Sequence, residues 1–311
     1  MTPVVDDTFR AAIITDIDHC PSREAASESN LNAFLDFSAQ KNPDYVISLG
    51  DNASHRLRNC SETGDMDARY IANFLRKSGK PTHFVLGDHD IASSVESYEA
   101  WMQTIEREKT YYSFDTKDVH TVVIDTVLGG EPMRSSCEDD ARCAALLVRM
   151  SDLRSQTFPE YWLRYPDVKI SKAEEMEKLK VRIKEERHEI SLTHSDKSRD
   201  AGRVSEEQLE WLRSDLERTK LSKVVIFSDH PLFPFVSSRK VYDIVNVDKV
   251  REILEGSKKE VVAISGEAHL WHEEERNGIR YYIVDEFRKA NGSWAYFTWN
   301  NDGFSLEKVV H

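Results

Sequence analysis

Five short segments of the sequence carry acidic or histidine side chains directly after an apolar run. They are Asp16-Ile17-Asp18, Gly50-Asp51-Asn52, Gly87-Asp88-His89-Asp90, Ser228-Asp229-His230-Pro231 and Gly266-Glu267-Ala268-His269. A single aspartate at the end of a strand is more often a helix cap or a turn residue than a ligand. Five such segments can instead aim their side chains at one point, and carboxylates with imidazoles bind divalent cations. The pattern therefore predicts a metal centre.

The apolar runs before these segments predict the strands that position them. The runs are residues 10–15, 45–49, 84–86, 223–228 and 261–265. Each is as short as a buried strand, and apolar residues at helical spacing, such as Tyr70, Ile71 and Phe74, lie between the early runs. Alternation of strands and helices predicts an α/β fold with its chemistry at the carboxyl ends of the strands.

Further patterns predict the rest of the domain. Residues 111–114 and 120–125 predict two more strands, and residues 281–284, 295–299 and 304–309 predict an antiparallel tail. Ser205 with Gln208 has the spacing of a capping box, which predicts a helix beginning there. The aromatic residues of the tail, Trp294 and Trp299 among them, favour a sheet core over a base-stacking platform.

Residues 129–202 depart from this alternation and predict a charged, mostly helical insertion. Ser171 with Glu174 forms a second capping-box pattern, and an apolar stripe follows it. The domain itself is then residues 1–128 and 203–311. Three roles remain open for the insertion: a cap over the metal centre, an arm that forms a homodimer, and a solvated excursion from the surface.

Composition limits the classes of function. With 311 residues, 40% of them hydrophobic, the chain is typical of a soluble globular protein. Its net charge of -13 disfavours nucleic-acid partners, a nuclease substrate included. No apolar run approaches the roughly 18 residues that span a bilayer, and no signal peptide is visible. We therefore expect no membrane partner and a cytoplasmic location, although a trimmed N terminus would leave secretion open. The four cysteines form no Cys-x-x-Cys pair and are expected to be free thiols.

In their order along the chain, the five segments resemble the motifs of calcineurin-like metallophosphoesterases. The family versions read Asp-x-His, Gly-Asp, Gly-Asn-His-Asp/Glu, His-x-Pro and Gly-His-x-His. The resemblance implies a four-layer α/β/β/α sandwich, with the insertion after the fifth strand. It also implies a metal-dependent hydrolase of phosphomonoesters or phosphodiesters that uses two metal ions and a bridging hydroxide. The pattern is most similar to cyclic-nucleotide phosphodiesterases and small-molecule phosphatases, so the expected partner is a small-molecule phosphoester.

The resemblance assigns a role to each matching position. It implies that one metal is held by Asp16, Asp18, Asp51 and His269. It implies that the other is held by Asp51, Asp88, Asp229 and Glu267, with Asp51 shared between the two. His89 would donate a proton or a hydrogen bond to the leaving oxygen of the ester.

The metal ligands depart from the family pattern in one direction. Five aspartates, one glutamate and one histidine stand where the family has two aspartates, one asparagine and four histidines. Six carboxylates would make the site negative even with two divalent ions bound. Each unit of charge then changes the energy of a phosphate about 4 Å away by roughly 1–4 kcal/mol.

Several interpretations of this departure remain open. Oxygen ligands favour hard cations, namely Mn, Mg or Ca, over zinc or iron. Some of the crowded carboxylates could stay protonated. A neighbouring histidine could replace an altered ligand, His19 for Asp18 or His230 for Asp229. The alternative function is a metal-binding protein on the same scaffold with little or no hydrolase activity.

Overall fold

The computed structural model describes residues 6–19, 24–53, 64–91, 95–129, 202–233, 244, 246–289 and 292–311. These residues form two mixed β-sheets and five α-helices. None of the helices in these ranges is long and apolar enough to cross a lipid bilayer.

The first sheet carries three of the five predicted ligand loops. Its strands are β1 (Phe9–Ile14), β2 (Tyr45–Ser48), β3 (Thr82–Phe84), β10 (Ser293–Asn300) and β11 (Gly303–Val310). Their order is β11-β10-β1-β2-β3. β1, β2 and β3 are parallel, whereas β10 pairs antiparallel with β1 and with β11. Helices α1 (Glu24–Lys41) and α2 (Gly64–Arg76) follow β1 and β2, and α3 (Val95–Ile105) follows β3.

The second sheet carries the other two ligand loops. Its strands are β4 (Tyr112–Thr116), β5 (Val119–Val123), β6 (Lys223–Ser228), β7 (Glu260–Ser265), β8 (His272–Arg276) and β9 (Ile279–Ile283). Their order is β4-β5-β6-β7-β9-β8, and β5, β6, β7 and β9 are parallel. Helix α4 (Glu206–Arg218) precedes β6, and α5 (Val247–Gly256) precedes β7.

Side-chain alternation along β1 shows how the layers stack. Ala12 and Ile14 pack in the core that includes α1, α2 and α3. Ala11 and Ile13, on the opposite face, pack against residues of the second sheet such as Val225. A third core joins the second sheet to α4 and α5. Both sheets are therefore buried on both faces, and the predicted order of layers, helix, sheet, sheet and helix, is confirmed.

Three strands differ from the sequence predictions. The predicted antiparallel tail is confirmed for β10 and β11, but β9 lies in the other sheet. There it is antiparallel to β8 and parallel to β7, because the chain reverses direction twice between β7 and β9. β8 itself was not predicted, since His-Glu-Glu-Glu-Arg has no apolar face and lies at the sheet edge. β3 covers Thr82–Phe84, so Val85 and Leu86 are buried beyond the strand rather than in it.

The described residues on either side of positions 130–201 are hydrogen-bonded to each other. Arg203 N–H donates to Thr126 O at 2.7 Å, and Ser205 N–H donates to Gly129 O at 2.9 Å. Residues 130–201, which hold nearly all of the predicted insertion, lie outside the described residues, as do the four cysteines. The insertion and its roles stay predictions.

Candidate metal centre

All seven predicted ligands follow the carboxyl ends of parallel strands. Asp16 and Asp18 follow β1, Asp51 follows β2 and Asp88 follows β3. Asp229 follows β6, and Glu267 and His269 follow β7. Because these ends of the two sheets meet, the loops of both sheets contribute to one centre.

Backbone hydrogen bonds tie the loops of each sheet together. Asp16 N–H donates to Gly50 O at 3.2 Å, and Asp18 N–H donates to Asp51 O at 2.8 Å. In the second sheet, Gly266 N–H donates to Asp229 O at 2.9 Å. The side chains are thus placed by fixed backbone rather than by free loops.

The backbone at the centre is held in an unusual conformation. Asp16, Asp18, Asp51, Glu267 and His269 all have positive φ, between 48° and 61°. This left-handed region is unfavourable for residues with a side chain, and such strain concentrates at functional sites. Five of the seven predicted ligands therefore share this conformation, which in the described residues also occurs at five positions outside the centre, such as Asn42 and Lys117.

The side chains converge as the metal prediction requires. Potential ligand atoms of Asp51, Asp88 and Glu267 lie within 4.8 Å of one another, and so do those of Asp16, Glu267 and His269. All of these carboxylates are buried. Two glycines leave the room for this: a Cβ at Gly87 would lie 2.4 Å from Asp51 Oδ1, and one at Gly50 would lie 2.5 Å from Asp229 Oδ1.

Crowding changes the protonation of the carboxylates. Burial raises the pKa of Asp51 well above its usual range, and the neighbouring Asp88 raises it further, although His89 opposes both effects. Burial and the charge of Asp51 likewise raise the pKa values of Asp229 and Glu267. Without a cation these groups would be costly to ionise together.

His89 is clamped at the middle of the centre. Its Nδ1 lies 2.9 Å from Asp18 Oδ1, and its backbone N–H donates to Asp51 Oδ1 at 2.9 Å. Nε2 lies 3.5 Å from Asp88 Oδ1. Burial lowers the pKa of His89, but the surrounding carboxylates outweigh burial and raise it to about 10. The carboxylates of the centre therefore favour the protonated imidazole.

Asp90 is a buried aspartate of the same motif as His89 whose role the sequence did not identify. Asp90 accepts hydrogen bonds from the backbone N–H groups of Asn52 and Gly87, at 2.8 and 2.9 Å. Burial raises the pKa of Asp90 to about 7, against the effect of these hydrogen bonds. Asp90 thereby joins the loop after β3 to the loop after β2. It helps to position Asp51 and Asp88, because it holds the backbone of their neighbours Asn52 and Gly87.

Arg288 is the second residue that the sequence did not identify. It follows β9, and its Nη1 pairs with Asp18 Oδ2 while its Nη2 lies 3.2 Å from His269 Nδ1. A parallel β9 would have signalled it, because the carboxyl end of such a strand reaches the same edge as β6 and β7. The expectation of an antiparallel tail hid this signal.

The two histidines proposed as replacement ligands have other contacts. The His19 ring stacks on Tyr70, with 4.7 Å between ring centroids. His230 Nδ1 lies 3.0 Å from Thr126 Oγ1 and 3.2 Å from Asp229 Oδ2. Among the described residues, neither imidazole belongs to a group of three potential ligand atoms within 4.8 Å of one another.

The donor set fits a hard divalent cation. Asp229 is fully buried, yet its Oδ1 accepts no hydrogen bond. A buried carboxylate oxygen without a donor is costly unless a cation satisfies it. Asp51, Asp88 and Glu267 offer further oxygen ligands beside it, as Mn, Mg and Ca prefer.

Comparisons with known proteins agree with this geometry. Residues 9–270 match the family model for calcineurin-like phosphoesterases. No curated protein sequence matches the chain significantly.

Solved structures share the fold. A dimetal phosphatase from Danio rerio is similar with a TM-score of 0.68 and 17% identity, covering 97% of this chain and 98% of that one. GAP50, the anchor in the inner membrane complex of Plasmodium, is similar with a TM-score of 0.55 and 12% identity, covering 97% and 84%. TT1561 of Thermus thermophilus has a TM-score of 0.50 and 10% identity, covering 97% and 99%. At such identities the likeness concerns the fold.

Proposed function

This chain belongs to the calcineurin-like phosphoesterase family, and we propose that it is a metal-dependent hydrolase of small-molecule phosphomonoesters or phosphodiesters. The observation that carries the proposal is the convergence of the buried ligand atoms of Asp51, Asp88 and Glu267 within 4.8 Å. Bound divalent cations would neutralise the charge of the phosphate and supply an activated water for its hydrolysis.

Protein side chains supply the remaining chemistry. The His89 side chain is 17% exposed, so its ring reaches the surface of the centre while Asp18 fixes its Nδ1. The carboxylates around His89 raise its pKa to about 10, an effect that a cation bound to them would weaken. With Nδ1 held by Asp18, Nε2 is the ring nitrogen left to donate to the leaving oxygen. Asp18 holds the ring orientation for this proton transfer.

A hydrolysis assay tests the proposal. Aryl phosphate and bis-aryl phosphate are offered with Mn, Mg, Ca, Zn and Co in turn, and activity is expected with the hard cations. Asp51→Asn should abolish activity by removing a ligand. His89→Asn should lower kcat by roughly 100-fold or more, because general acid catalysis contributes about that much. Asp302→Asn, in the exposed β10–β11 turn, is the matched control and should keep full activity.

The alternative is a metal-binding protein without hydrolase activity. Arg288 favours it, because a guanidinium already pairs with Asp18, one of the predicted ligands. Stoichiometric metal binding without turnover of either ester would support the alternative. Activity that both Asp51→Asn and His89→Asn remove would exclude it.

A further inference from the structure

The negative charges in the two halves of the centre are compensated by different groups. Asp51, Asp88, Asp229 and Glu267 form one half, which we call the acidic half. Its ion pairs within the described part of the chain involve histidines, as between Asp229 Oδ2 and His230 Nδ1 at 3.2 Å. Glu267 makes no ion pair there, and Asp229 Oδ1 accepts no hydrogen bond. Among the described residues, no lysine or arginine pairs with this half.

The other half of the centre already contains a cationic group, the guanidinium of Arg288. Asp16, Asp18 and His269 form it, together with the shared Asp51. Asp18 uses both carboxylate oxygens, Oδ1 toward His89 Nδ1 at 2.9 Å and Oδ2 toward Arg288 Nη1. His269 uses both ring nitrogens, Nε2 toward Asp16 Oδ1 at 3.0 Å and Nδ1 toward Arg288 Nη2 at 3.2 Å. The atoms that would hold a second metal already contact protein groups.

Arg288 is fixed in this position by its own loop. Its backbone N–H donates to Asp16 O at 3.2 Å, and the preceding Phe287 N–H donates to Thr15 O at 3.0 Å. The Phe287 side chain is buried in the core beneath α1, and Arg288 Nε donates to Glu286 Oε2 at 2.5 Å. The guanidinium is therefore built into the centre and does not reach it from a mobile surface chain.

We propose that the centre binds a single divalent cation in its acidic half, and that Arg288 takes the place of the second cation. Arginine stays charged at all physiological pH values, and its fork of donors matches a carboxylate. A divalent ion between Asp18 and His269 would have to displace the guanidinium or lie against its positive charge. The inference rests on the proposed function only in assuming that the centre binds metal, and it concerns how many ions are bound.

Metal stoichiometry tests the inference without reference to catalysis. The full chain is stripped with chelator, titrated with Mn²⁺ by calorimetry, and analysed for bound manganese after dialysis. The wild type should bind one Mn²⁺ per chain and show the electron paramagnetic resonance of an isolated ion. Arg288→Ala should bind a second Mn²⁺ and show the signal of a coupled pair. Arg280→Ala, which removes an exposed arginine from β9, should still bind one.

A second variant guards against misfolding of Arg288→Ala. Asp18→Asn should leave the wild-type stoichiometry at one, because Asp18 holds Arg288 and no metal in this proposal. Two coupled ions in the wild type, no bound ion, or a single ion in folded Arg288→Ala would each overturn the inference. One bound ion without ester hydrolysis would leave the inference standing and count against the proposed function. Two bound ions with ester hydrolysis would overturn the inference and support the proposed function.

Discussion

Glycines set the limits of the centre at the scale of single residues. Gly50 has a φ of 115°, and its Cα faces the Asp229 carboxylate and the backbone of Gly87. The loops after β2, β3 and β6 meet here with no space for a side chain. The motif residue Gly50 therefore helps to position the metal ligands, because it leaves space that a side chain would fill.

The substitution Gly50→Ala should separate metal binding from backbone strain. Its Cβ would lie 2.5 Å from Asp229 Oδ1, so the carboxylate must move. Gly303→Ala is the control, because Gly303 has a φ of 131° and nothing within 4 Å of the added Cβ. Gly303→Ala should lose about 1–2 kcal/mol of stability to backbone strain. Gly50→Ala should lose more, because its Cβ would also lie 2.8 Å from the backbone Cα of Gly87. Only Gly50→Ala should also weaken Mn²⁺ affinity, by about 10–100-fold. Equal affinities in calorimetry would contradict the role assigned to Gly50.

The loops that carry the seven predicted ligands could be located from the sequence. The contacts that Asp90 and Arg288 make in the folded chain could not. The ligands lie in short motifs whose order is set by the chain. Asp90 acts through backbone N–H groups of two loops, at 2.8 and 2.9 Å, which only folding brings together. Arg288 reaches Asp18 from a position 270 residues away. The sequence shows no signal for the contacts of Asp90, and the signal for Arg288 depends on recognising that β9 is parallel to β7.

At the scale of elements, the strands that form a continuous apolar run were the ones predicted most accurately. Strands buried on both faces, such as β6 and β7, are continuous apolar runs and were predicted within one residue. Edge strand β8 has alternating exposure without an apolar face, and it was missed. Helix α5, whose apolar face packs against the second sheet, was also not predicted.

The cap of helix α4 shows how tertiary contacts override a local motif. Ser205 Oγ accepts from Gln208 N–H at 3.2 Å, as the capping-box prediction requires. The Gln208 side chain does not return to Ser205. It instead bonds both backbone groups of Asp125, at 2.8 Å each, and so joins α4 to the end of β5. Ser205 N–H donates to Gly129 O. The contact of the Ser205 side chain is therefore local to the helix, whereas the Gln208 side chain makes a tertiary contact.

A buried histidine should give the second sheet a pH-dependent contact. His120 lies on β5. Its Nδ1 is 2.6 Å from Asp115 Oδ1 on β4, and its Nε2 is 2.8 Å from Asp215 Oδ2 on α4. Burial lowers the pKa of His120, but the hydrogen bonds to Asp215 and Asp115 outweigh it and raise the pKa above the usual 6.5. The folded state therefore binds this proton more tightly than the unfolded state does.

The free energy of unfolding of His120→Asn, compared with the wild type, tests this contact. The stabilisation from His120 should be complete below about pH 6.5 and should decline as pH rises through the folded pKa, by at most about 1.4 kcal/mol per pH unit. Urea titrations between pH 6 and 9 should show the difference between the two proteins shrinking. The exposed His311→Asn should keep the wild-type pH profile. A constant difference for His120→Asn would contradict the predicted proton uptake.

At the scale of the whole molecule, the metal centre lies where the two sheets meet. The core between the sheets joins Ile13 and Ile47 of the first sheet to Phe227 and Ile264 of the second. Directly beyond it, the carboxylates of both sheets face one another and repel. A bound cation would attach Asp51 and Asp88 of the first sheet to Asp229 and Glu267 of the second. Metal binding should therefore stabilise the domain as well as prepare it for chemistry.

Removal of metal should lower the melting temperature. A ligand present at 100 times its dissociation constant stabilises the folded state by about 2.7 kcal/mol, which corresponds to a shift on the order of 5 °C. Chelator should cause this shift in the wild type, measured by calorimetry at constant pH. Asp229→Asn removes one of the crowded carboxylates, so with chelator it should melt no lower than the wild type, and Mn²⁺ should raise its melting temperature less. No chelator shift in the wild type, or an equal Mn²⁺ shift in both proteins, would contradict a metal ion held between the two sheets.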